Sequence, residues 1–274
     1  MKTVVQSVKD GALRIVEAPT PRPGPTEVLV ATSRSVVSVG TERAVRALAS
    51  ASLLKKARAR PDLVRQVVAK ARAEGIGTTR KAVQTRLQDE MQLGYSASGY
   101  VLEVGEAVSG ISPGDRVATA SAGHADYQIV PGLLAVKIPD GVDDESAAFA
   151  AVASIAIQGL RQADVAVGGS VAVIGLGIVG QLSVRVALAA GLSVIAIDLN
   201  ESLVDRATAA GAVGFVESGE ATTRAVLDAT RGNGVDAVIV TAATPSSEPA
   251  SRSTEILRDR GRLVIVGDVG LDLK

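Results

Sequence analysis

The stretch "VAVIGLGIVG", Val171 to Gly180, decides the fold. An apolar strand-like run enters Gly175, Gly177 and Gly180 at G-x-G-x-x-G spacing, and an apolar helical pattern ending near Gly191 follows. A second strand-like run, "LSVIAID", closes on Asp198. Each part has a physical task. Gly175 permits a tight turn, Gly177 lets a phosphate approach the backbone, and Gly180 lets helix and strand pack closely. The unpaired N–H groups at the helix N-terminus favour negative charge. The pattern therefore predicts a strand–turn–helix that holds a dinucleotide by its pyrophosphate, although such a turn also occurs in other α/β proteins, methyltransferases among them. A carboxylate at Asp198 would accept hydrogen bonds from ribose hydroxyls and repel a 2′-phosphate. Leu199 and Asn200 bring no arginine, so NAD(H) is expected over NADP(H). The expected cofactor contacts are Gly175, Leu176, Gly177, Ile178, Val179, Gly180, Asp198, Leu199, Thr241 and Gly267.

Downstream, strand-like and helical runs alternate: "SLVDRATAAG", "AVGFVE", "TTRAVLDATRG", "VDAVIVTAA", "STEILRDRG", "RLVIVGD". That alternation predicts βαβ units around a parallel sheet of five strands, the Rossmann arrangement, over residues 149–274. "STEILRDRG" reads as the last helix and "RLVIVGD" as the last strand. Upstream the texture differs. Short β-like runs punctuated by Pro and Gly ("KTVVQSV", "LRIVEA", "PTPRPGP") suggest an all-β unit, and the same texture returns from Leu93 to about Asp140. Between them, residues 43–92 read as a helical insert with 12 Lys/Arg against 4 Asp/Glu. It has no aromatics for base stacking, so a solvated insert is expected, with an acidic small molecule or partner as the other reading. The expected architecture is an α/β chain of two domains. Residues 1–148 would form the β-barrel domain that carries the insert, and the Rossmann domain would follow.

Composition narrows the chemistry. Cysteine is absent, which excludes disulfides, thiolate metal sites and a catalytic thiol. The 29 basic and 29 acidic residues balance, giving no global pull toward nucleic acid or a membrane. Aromatics are 2% of the chain, so Val, Ile, Leu and Ala must build the core. The N-terminus lacks the pattern of a signal peptide. The most apolar run, Ala147 to Ile157, is far short of the roughly 20 residues a membrane helix needs. A cytoplasmic protein is expected.

The stretch "GYSASGYVLEVGEAV" resembles the zinc alcohol dehydrogenase frame Gly-His-Glu-x-x-Gly-x5-Gly, with Gly94, Gly99 and Gly105 in place. "GDRVA" from Gly114, "GHADYQIVP" and "VGTE" (Val39 to Glu42) extend the likeness to the medium-chain dehydrogenase/reductase superfamily. That resemblance implies a GroES-like β-barrel catalytic domain before the Rossmann domain. The ligands, however, are missing. Val39 stands at the cysteine ligand, Tyr95 and Ser96 at the His-Glu pair, and the region 147–160 holds no Cys, His, Asp or Glu. The four-cysteine structural lobe is also missing, so a zinc-lacking branch is implied. The run from "VGTER" to "LGYSASGYVLEVG", with "VGDVGLDL" near the end, is most similar to the N-terminal half of bi-domain oxidoreductases associated with polysaccharide biosynthesis. Relative to the superfamily's six strands, five imply a C-terminally incomplete Rossmann domain with an unpaired sheet edge.

Without a Lewis acid, hydride transfer needs a positioned proton donor. Thr41 is a candidate because its family position lies in the proton relay; an N-cap is its other reading. Tyr95 is a candidate because it replaces the zinc histidine, and packing is its alternative. His124 is the only histidine, of a type suited to acid–base work. Glu42 is expected in a structural salt bridge. The resulting expectation is an NAD(H)-dependent, zinc-independent oxidoreductase acting on a sugar, polyol or related small molecule. Two other readings stay open: a quinone or enoyl reductase, and a non-catalytic nucleotide-binding module for a missing partner domain. A homodimer or a further C-terminal dehydrogenase domain is the expected assembly, with no nucleic acid, membrane or metal partner.

Overall fold

The computed structural model describes residues 1–8, 10–38, 40, 42, 64, 65, 69, 72, 75, 90–121 and 123–272. The chain divides into two compact units, residues 1–151 and 152–274.

In the first unit, β3 (Glu27–Ser35) pairs antiparallel with β5 (Ser96–Val104) and with β7 (Tyr127–Pro131). β5 pairs with β6 (Arg116–Ala120), and β6 with β8 (Ala135–Lys137), giving the order β7-β3-β5-β6-β8. Val28, Val30, Val101, Val117 and Val130 alternate inward and form its core. A smaller sheet sets β1 (Lys2–Ser7) between β2 (Leu13–Glu17) and β4 (Glu90–Gln92), and a bridge between Thr3 and Ala125 links β1 to the loop before β7. The expected barrel is thus realised as two antiparallel sheets. The insert's last three residues are a correction to the helical reading. Glu90, Met91 and Gln92 pair with Ser7, Gln6 and Val5, whose backbone groups claim theirs for a strand. The rest of the insert lies almost wholly outside the described residues; Val64, Arg65, Ala69 and Arg72 are helical. A single-turn helix, α1 (Asp144–Ala147), is tied to β6 by Arg116, whose Nη2 donates to Asp144 Oδ1 at 2.6 Å.

The second unit is a parallel sheet ordered β11-β10-β9-β12-β13, where β9 is Ser170–Ile174, β10 Ser193–Asp198, β11 Val213–Val216, β12 Val235–Val240 and β13 Leu257–Ile265. The chain starts in the middle, runs out to β11, then returns across β9 to β12. Ligands bind at such a reversal, beyond the C-terminal strand ends. Both faces are covered, which is why the strands read as nearly continuous apolar runs. Val171, Val173, Val194, Ala196 and Ile239 pack against α2 (Ala150–Ala163), α3 (Ile178–Ala189) and α4 (Glu201–Ala209) through Ala163, Val184, Ala187, Val204 and Ala207. Ala172, Ile174, Ile195, Ile197, Val238 and Val240 pack with Val226 of α5 (Glu220–Ala229) and Ile256 of α6 (Glu248–Ile256). Among the described residues, no helix is long and apolar enough to cross a membrane.

The last helix sits earlier than the sequence pattern places it. α6 begins at Glu248 with Pro249 in its first turn and stops at Ile256, so "LRDRG" is not helical. Arg258 and Arg260 explain the shift. Arg258 Nε donates to Asp236 Oδ1 at 2.6 Å, and Arg260 takes φ +62°, which a helix cannot continue through. The pairing with β12 then jumps from Val235–Leu257 to Ala237–Arg262. β13 lies at the sheet edge.

Asp236 knots the base of this sheet. Its Oδ2 accepts from the Ser170 amide at 2.7 Å and the Ser170 hydroxyl at 3.0 Å. The Ser170 amide foremost, with the Arg258 guanidinium, holds this carboxyl below the usual carboxylate range. A depressed folded-state pKa stabilises the fold above the unfolded value and loses that effect as pH falls through the folded one. Asp236→Asn is expected to cost about 1 kcal/mol at neutral pH. In urea titrations the gap from wild type should narrow as pH drops below about 4; a gap constant down to pH 2 would contradict the assignment.

Candidate functional site

β9 ends at Ile174 and the chain turns sharply at Gly175, φ +90°. A Cβ at Gly175 would lie 2.6 Å from the Ala242 nitrogen, so the turn is pressed against the end of β12. Gly175 N donates to Ile197 O at 2.9 Å, joining the turn to β10. Gly180, in the first turn of α3, has no room for a side chain: a Cβ would collide with Gly175 O and come within 2.8 Å of Thr241 Oγ1. The Thr241 hydroxyl donates to Gly175 O, and the Thr241 amide to Ile174 O at 2.8 Å. Three strand ends are thereby fastened to one loop.

Gly177 differs. A Cβ there would meet no protein atom within 4 Å, and its φ of −62° suits any residue. The open space beside it is where a ligand's phosphate could approach. Helix α3 makes its first hydrogen bond from Gln181 N to Gly177 O, 2.8 Å. The amides of Ile178, Val179 and Gly180 come before it and point along the axis toward that space. Leu176 is fully buried and contributes its backbone alone: Leu176 N donates to Asp198 Oδ2 at 2.6 Å. Asp198 Oδ1 accepts from Asn200 N at 2.8 Å. A carboxylate offers about four acceptor sites, so two remain for hydroxyl donors. Leu199 beside it is 81% exposed, an apolar surface open to a ring. Gly267 abuts Ala242, where a Cβ would collide with the Ala242 carbonyl. The arrangement suits a dinucleotide phosphate and an adjoining ribose.

In the first unit, Val39 and Thr41 lie outside the described residues. Tyr95 is half-buried, and its carbonyl accepts from Ser121 N at 3.0 Å. Ser96 is buried and donates from Oγ to Ala148 O at 2.5 Å. His124 lies over Gly94, where a Cβ would come within 2.9 Å of the ring. Its Nδ1 is 2.9 Å from Ser35 Oγ, and its Nε2 is 3.2 Å from Glu42 Oε1. Glu42 therefore meets His124, a partner 82 positions away that no local pattern reveals. No motif marks Ser35, whose place beside His124 comes from its position at the end of β3.

The family model described as zinc-binding dehydrogenase matches residues 179–273. A probable D-xylulose reductase A of Neosartorya fischeri is 28% identical over 212 residues, covering 65% of this chain and 59% of that protein. Mouse (Mus musculus) sorbitol dehydrogenase is 29% identical over 163 residues, covering 48% and 46%. The chain thus spans about half the length of the curated relatives it matches. The crystal structure of galactitol-1-phosphate dehydrogenase from Escherichia coli superposes with a TM-score of 0.75 at 21% identity, covering all of this chain and 77% of that one, a likeness of fold. With a five-stranded Rossmann sheet behind the frame of Gly94, Gly99 and Gly105, these likenesses support the resemblance to the medium-chain dehydrogenase/reductase superfamily, of the zinc-type alcohol dehydrogenase-like kind.

Proposed function

We propose that the chain is an NAD(H)-dependent, zinc-independent oxidoreductase that moves a hydride to or from an alcohol or carbonyl carbon of a sugar, polyol or related small molecule. The observation that carries this reading is the Asp198 carboxylate, bonded to the glycine loop and keeping acceptor capacity at the end of β10. The relatives named for D-xylulose and sorbitol support the substrate class. Bound at the loop, the dinucleotide would supply the hydride acceptor or donor. The amides of Ile178, Val179 and Gly180 would hold its pyrophosphate, and Asp198 its adenosine ribose. A 2′-phosphate would meet the Asp198 charge, with only Leu199 and Asn200 following it.

The donor set does not fit zinc. Catalytic zinc takes three N, S or O ligands. Here the two motif positions hold a phenol and a serine whose hydroxyl is committed to Ala148 O, and the sequence offers no cysteine and one histidine. Handling the proton at the reacting oxygen therefore falls to side chains of the first unit, Thr41, Tyr95 and His124, a role worth about 10²–10⁴-fold in rate.

Nicotinamide fluorescence titrations test the site. Wild type should bind NADH at least about tenfold more tightly than NADPH, a difference of about 1.4 kcal/mol, and Asp198→Ala should erase that preference. Equal affinities in the wild type would overturn NAD selectivity, and binding of neither would overturn the reading itself. The two loop glycines should separate binding from folding. Gly177→Ala is expected to leave the melting temperature unchanged while weakening NADH about tenfold or more, since its Cβ enters only the ligand's space. Gly180→Ala should lose about 1–3 kcal/mol of stability as the loop is pushed apart. Unchanged NADH affinity in Gly177→Ala would place the pyrophosphate elsewhere.

A further inference from the structure

The chain's single histidine is held from several directions. Its amide donates to Leu93 O at 2.7 Å, and its carbonyl accepts from Val4 N at 2.8 Å. The ring covers Gly94, whose φ of +97° leaves no place for a side chain beneath it. Nε2 faces Glu42 Oε1 at 3.2 Å, and that same oxygen accepts from the Ser38 amide at 3.1 Å, so the carboxylate is itself fixed. The side chains of His124 and Glu42 are 11% and 19% exposed. At the far end of the chain of bonds, Ser35 Oγ lies 2.9 Å from Nδ1 on an exposed residue.

A carboxylate on Nε2 selects the tautomer that carries its proton there. Nδ1 is then an acceptor, and the Ser35 hydroxyl must donate to it. The result is a directed line in which Ser35 donates to His124 and His124 donates to Glu42, with a half-buried carboxylate at one end and an exposed hydroxyl at the other. This is the geometry of a base oriented by a third group and coupled to a hydroxyl, the logic shared by general-base sites on unrelated folds.

We propose that Ser35, His124 and Glu42 form a proton relay in which Ser35 receives the proton of the substrate hydroxyl, His124 stores it and Glu42 is the positioning residue. The proposal rests on the oxidoreductase reading above and gives it its proton path. In alcohol oxidation the substrate O–H proton passes to Ser35 Oγ as the Ser35 proton passes to Nδ1, leaving an imidazolium stabilised by Glu42. The electron pair of the carbinol C–H bond would go to a nicotinamide as that bond breaks and the carbon–oxygen double bond forms. In carbonyl reduction each transfer reverses.

Because the chain has one histidine, ¹⁵N-histidine labelling gives a single ring to observe. At a pH where the ring is neutral, its spectrum should show the proton on Nε2. Glu42→Gln should shift it to a mixture of tautomers, and Ser35→Ala should move the Nδ1 resonance alone. A ring protonated on Nδ1, or spectra unchanged by both substitutions, would overturn the relay. Rates with NAD and sorbitol, and with NADH and D-xylulose, supply the second readout. His124→Gln should lower kcat by about 10²-fold or more with KM little changed. Ser35→Ala should lower kcat too, while Ser35→Thr, which keeps the hydroxyl, retains most of it. An unaltered kcat in His124→Gln would also overturn the relay. A chain that binds NADH but turns over neither compound would instead sink the polyol reading, leaving the ring spectra to decide the relay.

Discussion

Gly180 sits so close under the carbonyl of Gly175 that no side chain fits between them, and the Thr241 hydroxyl binds that same carbonyl. Much of the second unit follows from this contact. It fixes the start of α3 against the end of β9 and ties β12 to the same loop. It also aims the free amides of the helix at the open space beside Gly177. Asp198 adds the third strand by taking Leu176 N, so β9, β10 and β12 present one rigid rim. These hydrogen bonds hold the loop without a ligand. Binding energy need not be spent on ordering the loop, which is the advantage of preorganisation.

In the first unit, the glycines that resemble the zinc alcohol dehydrogenase frame are explained by packing. Gly94, Gly99 and Gly105 keep the spacing of the zinc frame, yet each is accounted for by protein atoms. A side chain at Gly99 would collide with the Ala31 carbonyl across the β3–β5 pair, and one at Gly105 with the backbone of Gly24 and Pro25. Gly94 makes room for the His124 ring. Those glycines belong to the sheet's geometry, whatever residues stand at positions 95 and 96. Ser96 is absorbed into packing through Ala148, and the polar chemistry of the region gathers instead at Ser35, His124 and Glu42.

What could be read in the sequence divides along local and non-local lines. Glycine spacing, apolar runs and the acid closing β10 are local, and they lead to the five strands, their parallel arrangement and the sharp glycine turn into α3. The sequence pattern places α6 several residues too late, because the competing pull comes from Asp236, on another strand, and from the left-handed turn at Arg260. Glu90 to Gln92 looked helical beside their basic neighbours until β1 supplied the partner that makes them a strand. The His124 cluster joins residues 89 and 82 positions apart, beyond the reach of any periodicity. The hydrogen bond from the Thr241 hydroxyl to the Gly175 carbonyl, 66 positions away, is likewise invisible to local patterns.

In the proposed site the amides opening α3 hold a nicotinamide dinucleotide. Amide ¹H–¹⁵N spectra recorded with and without saturating NADH read those groups one by one. Ile178, Val179 and Gly180 should shift most, with smaller shifts at Asp198 and Leu199. Saturable binding that leaves these amides unmoved would contradict it.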